Sequence, residues 1–556
     1  MIDRKTPPPA SATATAAAAA GRAPAQDADA IVIGSGMGGL ATAALLARLH
    51  GRKVIVLERH FRAGGFTHTF SRRGGFEWDV GVHYVGELGR PGMMRDAMQV
   101  ATGGAVRWSR MPETYDRLVF PGFEFGIRAG RQNFRDDLVA AFPAERRAVD
   151  RFFRDVDRAA SAMGVMGMQS VAPAPVTAVA RALLSGRLAL ARRTTRSWID
   201  ENVRDPRLAA VLGARWGDYG LPPSRSAFLA HSVITRHYHE GAWYPSGTSA
   251  RIAEGATRVV EEAGGAVRVR AEVERVLVEG GRAVGVRLAS GEELRAPVVV
   301  SDAGARATFL RLVPEDVHLP FRDALRATPR GMSHVSLYLG LSRSPAGLGV
   351  QGENFWLHDE LDHDRMHERS GELLSGNAPQ TYLSFPSMKD PEARAHTAEI
   401  VAGIDARHFE PWAGTAWMKR GAEYAALKER IADALLASAE RRIPGLSALV
   451  VHREVSTPLT TAHFTGHPGG EIYGLPATPE RFSRPWLQAR TPVPGLYLAG
   501  ADALMLGIGG ALMSGVLCTA AIAGASTFGR VRSAARSLGD PTTTPATRSE
   551  TSPSIA

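Results

Sequence analysis

Residues 29–33 (Asp-Ala-Ile-Val-Ile) form a short unbroken apolar run that stops at glycine. That is the pattern of a strand buried on both faces of a parallel sheet. Residues 40–49 are mostly Ala and Leu without a breaker and predict a helix; residues 53–58 predict a second buried strand ending in Glu58. Strand, helix and strand in about thirty residues make a βαβ unit. Farther on, residues 248–263 predict a helix and 267–273 alternate at period two. Residues 276–279 and 283–288 flank a Gly280-Gly281 turn, which predicts a hairpin. Residues 297–302 predict a buried strand returning to the sheet, 334–341 a strand, 422–442 a long helix, and 495–499 a last strand before glycine-rich sequence and an apolar helix. No internal repeat is visible.

Two stretches admit more than one reading. Residues 151–198 carry Met163, Met166 and Met168, two prolines, and then Arg181, Arg187, Arg192, Arg193 and Arg196 among Leu and Ala. They suit a cationic amphipathic surface or a helical lid over a cavity. Residues 504–528 are uncharged for 25 positions, long enough to span a bilayer. Gly507, Gly509, Gly510, Gly515 and Gly524 interrupt that run directly after a strand, so a buried helix is expected.

At 556 residues, with 44% apolar and 22% charged residues, the chain is a globular protein of two or three domains. The net charge of +10 is spread thinly, with no nucleic-acid-binding motif, so no nucleic acid is expected as partner; an anionic membrane surface fits better. The single cysteine, Cys518, lies in an apolar helical run and reads as a buried hydrophobe. The first 26 residues, rich in Ala, Pro and Thr, lack the apolar core of a signal peptide. The expectation is a cytoplasmic protein, peripheral at the inner face of a membrane.

Gly34-Ser35-Gly36-Met37-Gly38-Gly39 is a G-x-G-x-x-G placed between a strand and a helix. Gly34 permits the turn, Gly36 lets the backbone approach a pyrophosphate, and Gly39 lets helix and strand pack closely, with the helix N-terminus facing the anion. Glu58, 19 residues past Gly39 (58 − 39), stands where a carboxylate accepts from ribose hydroxyls, with Arg59 beside it. The same pattern at residues 347–352 follows Ser342-Arg-Ser-Pro345, precedes no helix and has no placed acid, so it reads as a surface turn. One dinucleotide site is therefore expected, and NAD(P)H enters only as an external reductant.

On Asp29-Ala-Ile-Val-Ile-Gly-Ser-Gly36, Val56-Leu-Glu-Arg-His60, Gly64-Gly65, His68-Thr-Phe70 and Asp79-Val-Gly-Val-His-Tyr-Val-Gly86, the chain resembles the FAD-containing phytoene desaturase superfamily. Gly217-Asp-Tyr-Gly-Leu-Pro-Pro223, Gly241-Ala-Trp-Tyr-Pro245, Ser384-Phe-Pro-Ser-Met-Lys-Asp-Pro391, Thr457-Pro-Leu-Thr460, Leu496-Tyr-Leu-Ala-Gly-Ala-Asp502 and Gly509-Gly-Ala-Leu512 are most similar to its retinol saturase branch. The likeness spans residues 28–530; Gly247-Thr248 departs from the Gly-Gly often found after the Tyr-Pro step.

The resemblance implies an α/β fold: a discontinuous Rossmann-type FAD-binding domain of the glutathione reductase and amine oxidase kind, with an inserted α+β substrate domain. The expected parts are FAD-binding segments 27–110, 246–305 and 488–533, a substrate or lid region with membrane-contacting helices at 111–245, a substrate domain at 306–487, and disordered tails at 1–26 and 534–556. The implied FAD contacts, beyond Gly34, Ser35, Gly36, Gly38, Gly39, Glu58 and Arg59, are Gly64 and Gly65 at the pyrophosphate and flavin side, Val273 at the adenine, and Gly500 and Asp502 at the ribityl end. Gly509, Gly510, Ala511 and Leu512 would aim a helix N-terminus at the flavin pyrimidine. The implied reaction is reduction of a carbon-carbon double bond in a lipophilic conjugated polyene, with His83, Tyr84 and Tyr473 as candidate proton donors and an unidentified redox partner. A carotenoid desaturase or cis-trans isomerase is the runner-up, and a polyene carrier without turnover the third reading.

Other constellations point to bland roles. His358, His363 and His367 among five acids match no zinc spacing and suggest a solvated acidic loop, so no metal is expected. His237-Tyr-His239 and Tyr244 are expected to line the substrate cavity. No serine nucleophile elbow supports hydrolysis.

Overall fold

The computed structural model describes residues 27–543. Its first sheet is built from β1 (Ala30–Ile33), β2 (Val54–Leu57), β3 (Ala266–Arg268), β4 (Val299–Ser301) and β5 (Leu496–Leu498). The spatial order is β5-β4-β1-β2-β3, and every pair is parallel. Ala30 and Val32 join the core on one side and Ile31 and Ile33 the core on the other, so the central strand is apolar on both faces, as its unbroken hydrophobic run requires. Helices α1 (Met37–His50) and α2 (Gly507–Ala523) belong to the core on one face, with Ile252, Val259 and Val260 of the helix Ala250–Glu262. The antiparallel hairpin Val273–Glu279 and Arg282–Leu288 contributes to the core on the other. The sheet therefore gathers chain segments separated by more than two hundred residues around one glycine turn.

Residues 267–273 do not run as the single strand that their alternation suggests. Arg270 takes a positive φ of 54°, its N–H donates to the His60 carbonyl, and the Ala271 N–H donates to that of Glu58. The chain thus leaves β3, crosses the end of β2 and re-enters as the hairpin at Val273. That crossing lays Ala271, Glu272 and Val273 beside Glu58.

The second sheet has seven strands in the order Val450–Ser456, Ser333–Leu341, His396–Ile404, Gln380–Ser384, Asn354–His358, Thr114–Phe120 and Phe123–Arg128. All pairs are antiparallel except Asn354–His358 with Thr114–Phe120. Side chains alternate across it: Val335, Leu337 and Leu339 join the core under helix Gly421–Arg442, while His334, Ser336 and Tyr338 face a cavity. Helices between 146 and 213 pack on a further core containing Phe152, Phe153, Trp198 and Phe228. No residue from 84 to 216 lines the cavity, so these helices do not form the lid that one reading suggests.

One other expectation is revised. Residues 534–543 belong to the fold: helix Ser526–Arg536 ends within them, Asp540 pairs with Arg95 at 2.9 Å, and the Pro541 carbonyl accepts from Trp108 N–H. The expected tails at 1–26 and 544–556 lie outside the described residues. The second glycine pattern is a turn, Pro345–Leu348 followed by Gly349 at φ 83°, leading into a strand. Among the described residues no single helix is long and apolar enough to cross a membrane.

Candidate functional site

The first βα turn is a cradle that only glycine fits. Gly34 turns at φ 93°, and α1 begins at Met37 with no side-chain cap and no acid in its first turn. A Cβ on Gly36 would lie 2.4 Å from Asp302 Oδ2, on Gly38 2.3 Å from the Gly500 nitrogen, and on Gly39 2.4 Å from the Gly34 carbonyl oxygen. Three chain segments meet there at backbone distance. Gly64 (φ 121°) and Gly65 (φ 54°) close the cradle from the other side, where a Cβ on Gly65 would touch Gly36 Cα at 3.0 Å.

Polar side chains brace it. Glu58 Oε2 accepts from Ser35 N–H at 2.9 Å and Ser35 Oγ–H at 2.6 Å, and Oε1 accepts from His60 N–H at 2.8 Å. A carboxylate has about four acceptor positions, so one remains for a ligand hydroxyl. Ser35 Oγ in turn accepts from Gly64 N–H at 3.0 Å, tying the glycine doublet to the first turn. Arg59 lies 3.7 Å from Glu272, and its Nη1 is buried at the cavity without a partner.

Asp302, at the end of β4, was invisible to motif reading. Its carboxyl sits beneath Gly36, Gly38, Gly39 and Gly500, and burial pushes its pKa up to about 7 against the backbone N–H groups of Gly39 and Gly36. The expected ribityl-end residue, Asp502, lines the cavity but uses both oxygens on backbone: Oδ2 accepts from Ala305 N–H at 2.7 Å and Oδ1 from Leu475 N–H at 2.8 Å. It staples three segments together rather than presenting a free carboxylate.

A cavity of about 860 Å³ joins these parts. Gly34, Ser35, Gly36, Glu58, Arg59, Gly64, Gly65, Val273, Gly500 and Asp502 all line it. Of the four residues expected at the second helix only Ala511 does; Gly509 packs on Met94 and His237, Gly510 on Met505, and Leu512 is buried. The helix begins two residues earlier, so Gly507 and Ile508 share the wall with Ala511. Gly38 and Gly39 lie behind the turn and act through packing.

From the glycine turn the cavity runs onto the seven-stranded sheet, past His334, Ser336, Tyr338, Trp356 and Tyr382 to His83 and Tyr473. Tyr473 O–H donates to the Gly217 carbonyl at 3.2 Å, and burial raises its pKa. His83 is held neutral by burial, its pKa lowered to about 4. Its Nδ1 lies 3.0 Å from Oε2 of Glu399, a fully buried carboxyl. Behind it Lys389 Nζ donates to the His83 carbonyl at 3.0 Å, Asn354 Oδ1 at 2.5 Å and Ser384 Oγ at 2.7 Å.

Tyr84 is a correction. His83 lines the cavity, whereas its neighbour Tyr84 points away from it into a buried core. Its O–H donates to Asp218 at 2.9 Å, its ring stacks on Tyr238 at 4.5 Å, and Arg215 bridges to Asp116 at 2.6 Å alongside. His237, Tyr238, His239 and Tyr244 likewise leave the cavity: His237 Nε2 accepts from Gly86 N–H at 2.8 Å, and Tyr244 O–H donates to Asp79. The expected acidic loop is also revised, because His358 stacks on Phe120 at 4.4 Å and His363 Nε2–H donates to the Ala210 carbonyl at 2.7 Å, both buried.

The arrangement fits a dinucleotide: uncapped N–H groups at a helix N-terminus, a cradle that any Cβ would fill, and a buried guanidinium nitrogen without a partner. Fold and site together define a Rossmann-type oxidoreductase with a separate sheet roofing the cavity. A family model described as an NAD(P)-binding Rossmann-like domain matches residues 32–97. Among solved structures, a variant of putrescine oxidase superposes with a TM-score of 0.60 at 16% identity, covering 89% of this chain and 98% of that one, a likeness of fold. The all-trans-retinol 13,14-reductase of Danio rerio is 36% identical over 88% of this chain and 85% of its own length; prolycopene isomerase of Daucus carota is 25% identical over 89% and 79%. The chain belongs to the all-trans-retinol 13,14-reductase family, within the phytoene desaturase-like superfamily.

Proposed function

We propose that the protein is an FAD-dependent reductase that saturates one carbon-carbon double bond of a lipophilic conjugated polyene such as all-trans-retinol. FAD would lie with its diphosphate at Gly34–Gly36 and the N-terminus of α1, its ribose at Glu58, its adenine beside Val273, and its ring system between Ala511 and the sheet wall. Bound there in reduced form, it supplies hydride to one carbon of the double bond.

The protein's own part is to exclude water, orient the polyene along Tyr338, Trp356 and Tyr382, and deliver a proton to the adjacent carbon. The observation that carries this reading is the continuity of one cavity from the glycine cradle to His83 and Tyr473. NAD(P)H would act from outside, since the described residues offer one glycine cradle. Anaerobic incubation of the reduced holoprotein with all-trans-retinol and with carotenoids, followed by mass analysis, tests it: a gain of two hydrogens is expected. A loss of two with oxidised enzyme would favour a desaturase, unchanged mass with altered retention an isomerase, and unaltered ligand a carrier.

Peripheral membrane contact at the inner face belongs to the same reading. Phe61, Trp417 and Met418 are 50%, 44% and 80% exposed and all three line the cavity, so they mark its rim. Exposed Val176, Val179 and Leu183 lie on a bent helix pair, Ala174–Leu183 and Ser185–Ala191, that also carries Arg181 and Arg187. Apolar tips beside cations suit an anionic lipid surface. Co-sedimentation with phosphatidylglycerol vesicles, weakened by Trp417→Glu, is the expected outcome; equal sedimentation of both proteins would contradict the rim.

A further inference from the structure

A carboxyl that burial leaves without partners is rare, because Glu is almost never fully buried unless paired. Glu399 is such a group. It sits in the strand His396–Ile404, opposite Tyr338, as the lone acid between Ala398 and Ile400. Its side chain has no exposure; the Asp79 backbone N–H approaches it, but neither oxygen makes a well-formed hydrogen bond. Yet Oε2 stands 3.0 Å from Nδ1 of His83, and that nitrogen is also buried and without a well-formed bond. The two are within reach and short of alignment, so a small rotation of the imidazole makes the bond. With Nδ1 turned to Glu399, the Nε2 edge of His83 is left for a ligand in the cavity.

We infer that Glu399 is the proton reservoir for His83: its carboxylic acid donates to Nδ1 while His83 Nε2–H protonates the substrate carbon. This rests on the proposed reductase reading. The substrate, having taken hydride from reduced flavin, carries an electron pair on the neighbouring carbon. That pair forms the new C–H bond with the Nε2 proton, the N–H bond breaks, and the Glu399 O–H proton passes to Nδ1. His83 ends neutral in its other tautomer and Glu399 as a carboxylate; a solvent proton taken up at Nε2, with the Nδ1 proton returning to Glu399, resets the pair. Glu399 thus acts through His83 and touches no substrate.

The surroundings favour the neutral pair. Burial pushes Glu399 up to about 8 against the pull of Lys389, and burial holds His83 near 4, so at neutral pH the acid is protonated and the imidazole free to accept. The cations and imidazoles facing the pair are Lys389 and His334; the acids are Asp79 and Asp218. Tyr244 and Tyr338 face Glu399, and Tyr382 contacts the His83 ring; their phenols stay protonated, since burial raises each pKa. Lys389, fixed on three oxygens, stands ready to stabilise the carboxylate left after transfer.

Infrared spectroscopy of the FAD-loaded protein tests the inference independently of turnover. With isotope-labelled glutamate, a protonated carboxyl band is expected below about pH 7, lost by about pH 9, and absent from Glu399→Gln. In turnover, Glu399→Gln still donates to Nδ1 but has no proton to pass on, so kcat is expected to fall on the order of 10²-fold with the flavin still bound. A wild-type spectrum without a protonated glutamate at neutral pH overturns the inference, as does Glu399→Gln with unchanged kcat and pH profile. Should that variant not fold, the labelled wild-type protein still decides. Should no polyene be reduced, the spectrum separates failure of the reservoir from failure of the reductase reading.

Discussion

Two buried carboxyls, Glu58 and Glu399, show how differently the two halves of the molecule use the same group. Glu58 accepts three hydrogen bonds from groups within 23 residues of it, Ser35 N–H, Ser35 Oγ–H and His60 N–H. Glu399 has none that is well formed, and meets His83 only because a strand 316 positions away (399 − 83) packs behind the cavity wall. A satisfied carboxylate fixes geometry; an unsatisfied one stays protonated and can move a proton. The first half is a binding frame, the second a reacting wall.

The comparison breaks first at the frame. Gly36→Val puts branched carbon where even a single Cβ would lie 2.4 Å from Asp302, and is expected to abolish flavin uptake, read as a colourless purified protein that excess FAD does not turn yellow. On the wall the effect is kinetic: His83→Phe keeps the flavin and is expected to lower turnover about 10²- to 10⁴-fold, measured by product mass over time. Equal loss of flavin in both variants would erase the distinction. The smallest effect belongs to the neighbour that faces away. Tyr84→Phe removes a donor to Asp218 in a buried network, so stability should drop by about 1–3 kcal/mol in chemical denaturation while turnover per bound flavin stays unchanged. A turnover loss matching His83→Phe would place Tyr84 in the reaction.

The frame was legible because its chemistry is local. Turn, helix, strand and acid fall within 29 positions of Asp29 (58 − 29), and the glycines are the only residues that such a turn accepts. Asp302 escaped because it closes the cradle from a distant strand end with no motif of its own, and the second helix was placed two residues late because Gly507, at φ 77°, already starts the turn. The wall was hidden for a different reason. His83 and Tyr84 are adjacent letters whose roles separate only in the folded chain, where one lines the cavity and the other is buried away from it. Lys389 lay inside the segment 384–391 used to recognise the family, but nothing local says that it meets His83, Asn354 and Ser384. Glu399 left one readable trace, a lone acid in the strand sequence His-Thr-Ala-Glu-Ile-Val-Ala-Gly-Ile. Its partner could come only from the fold.

The most direct test is a crystal structure of the protein with FAD. The account predicts the diphosphate against the backbone of Gly34–Gly36, the ribose on Glu58, and the flavin ring in the same cavity as His83, with the space between them open to a polyene. A flavin seated elsewhere, or one whose ring is walled off from His83, would contradict it.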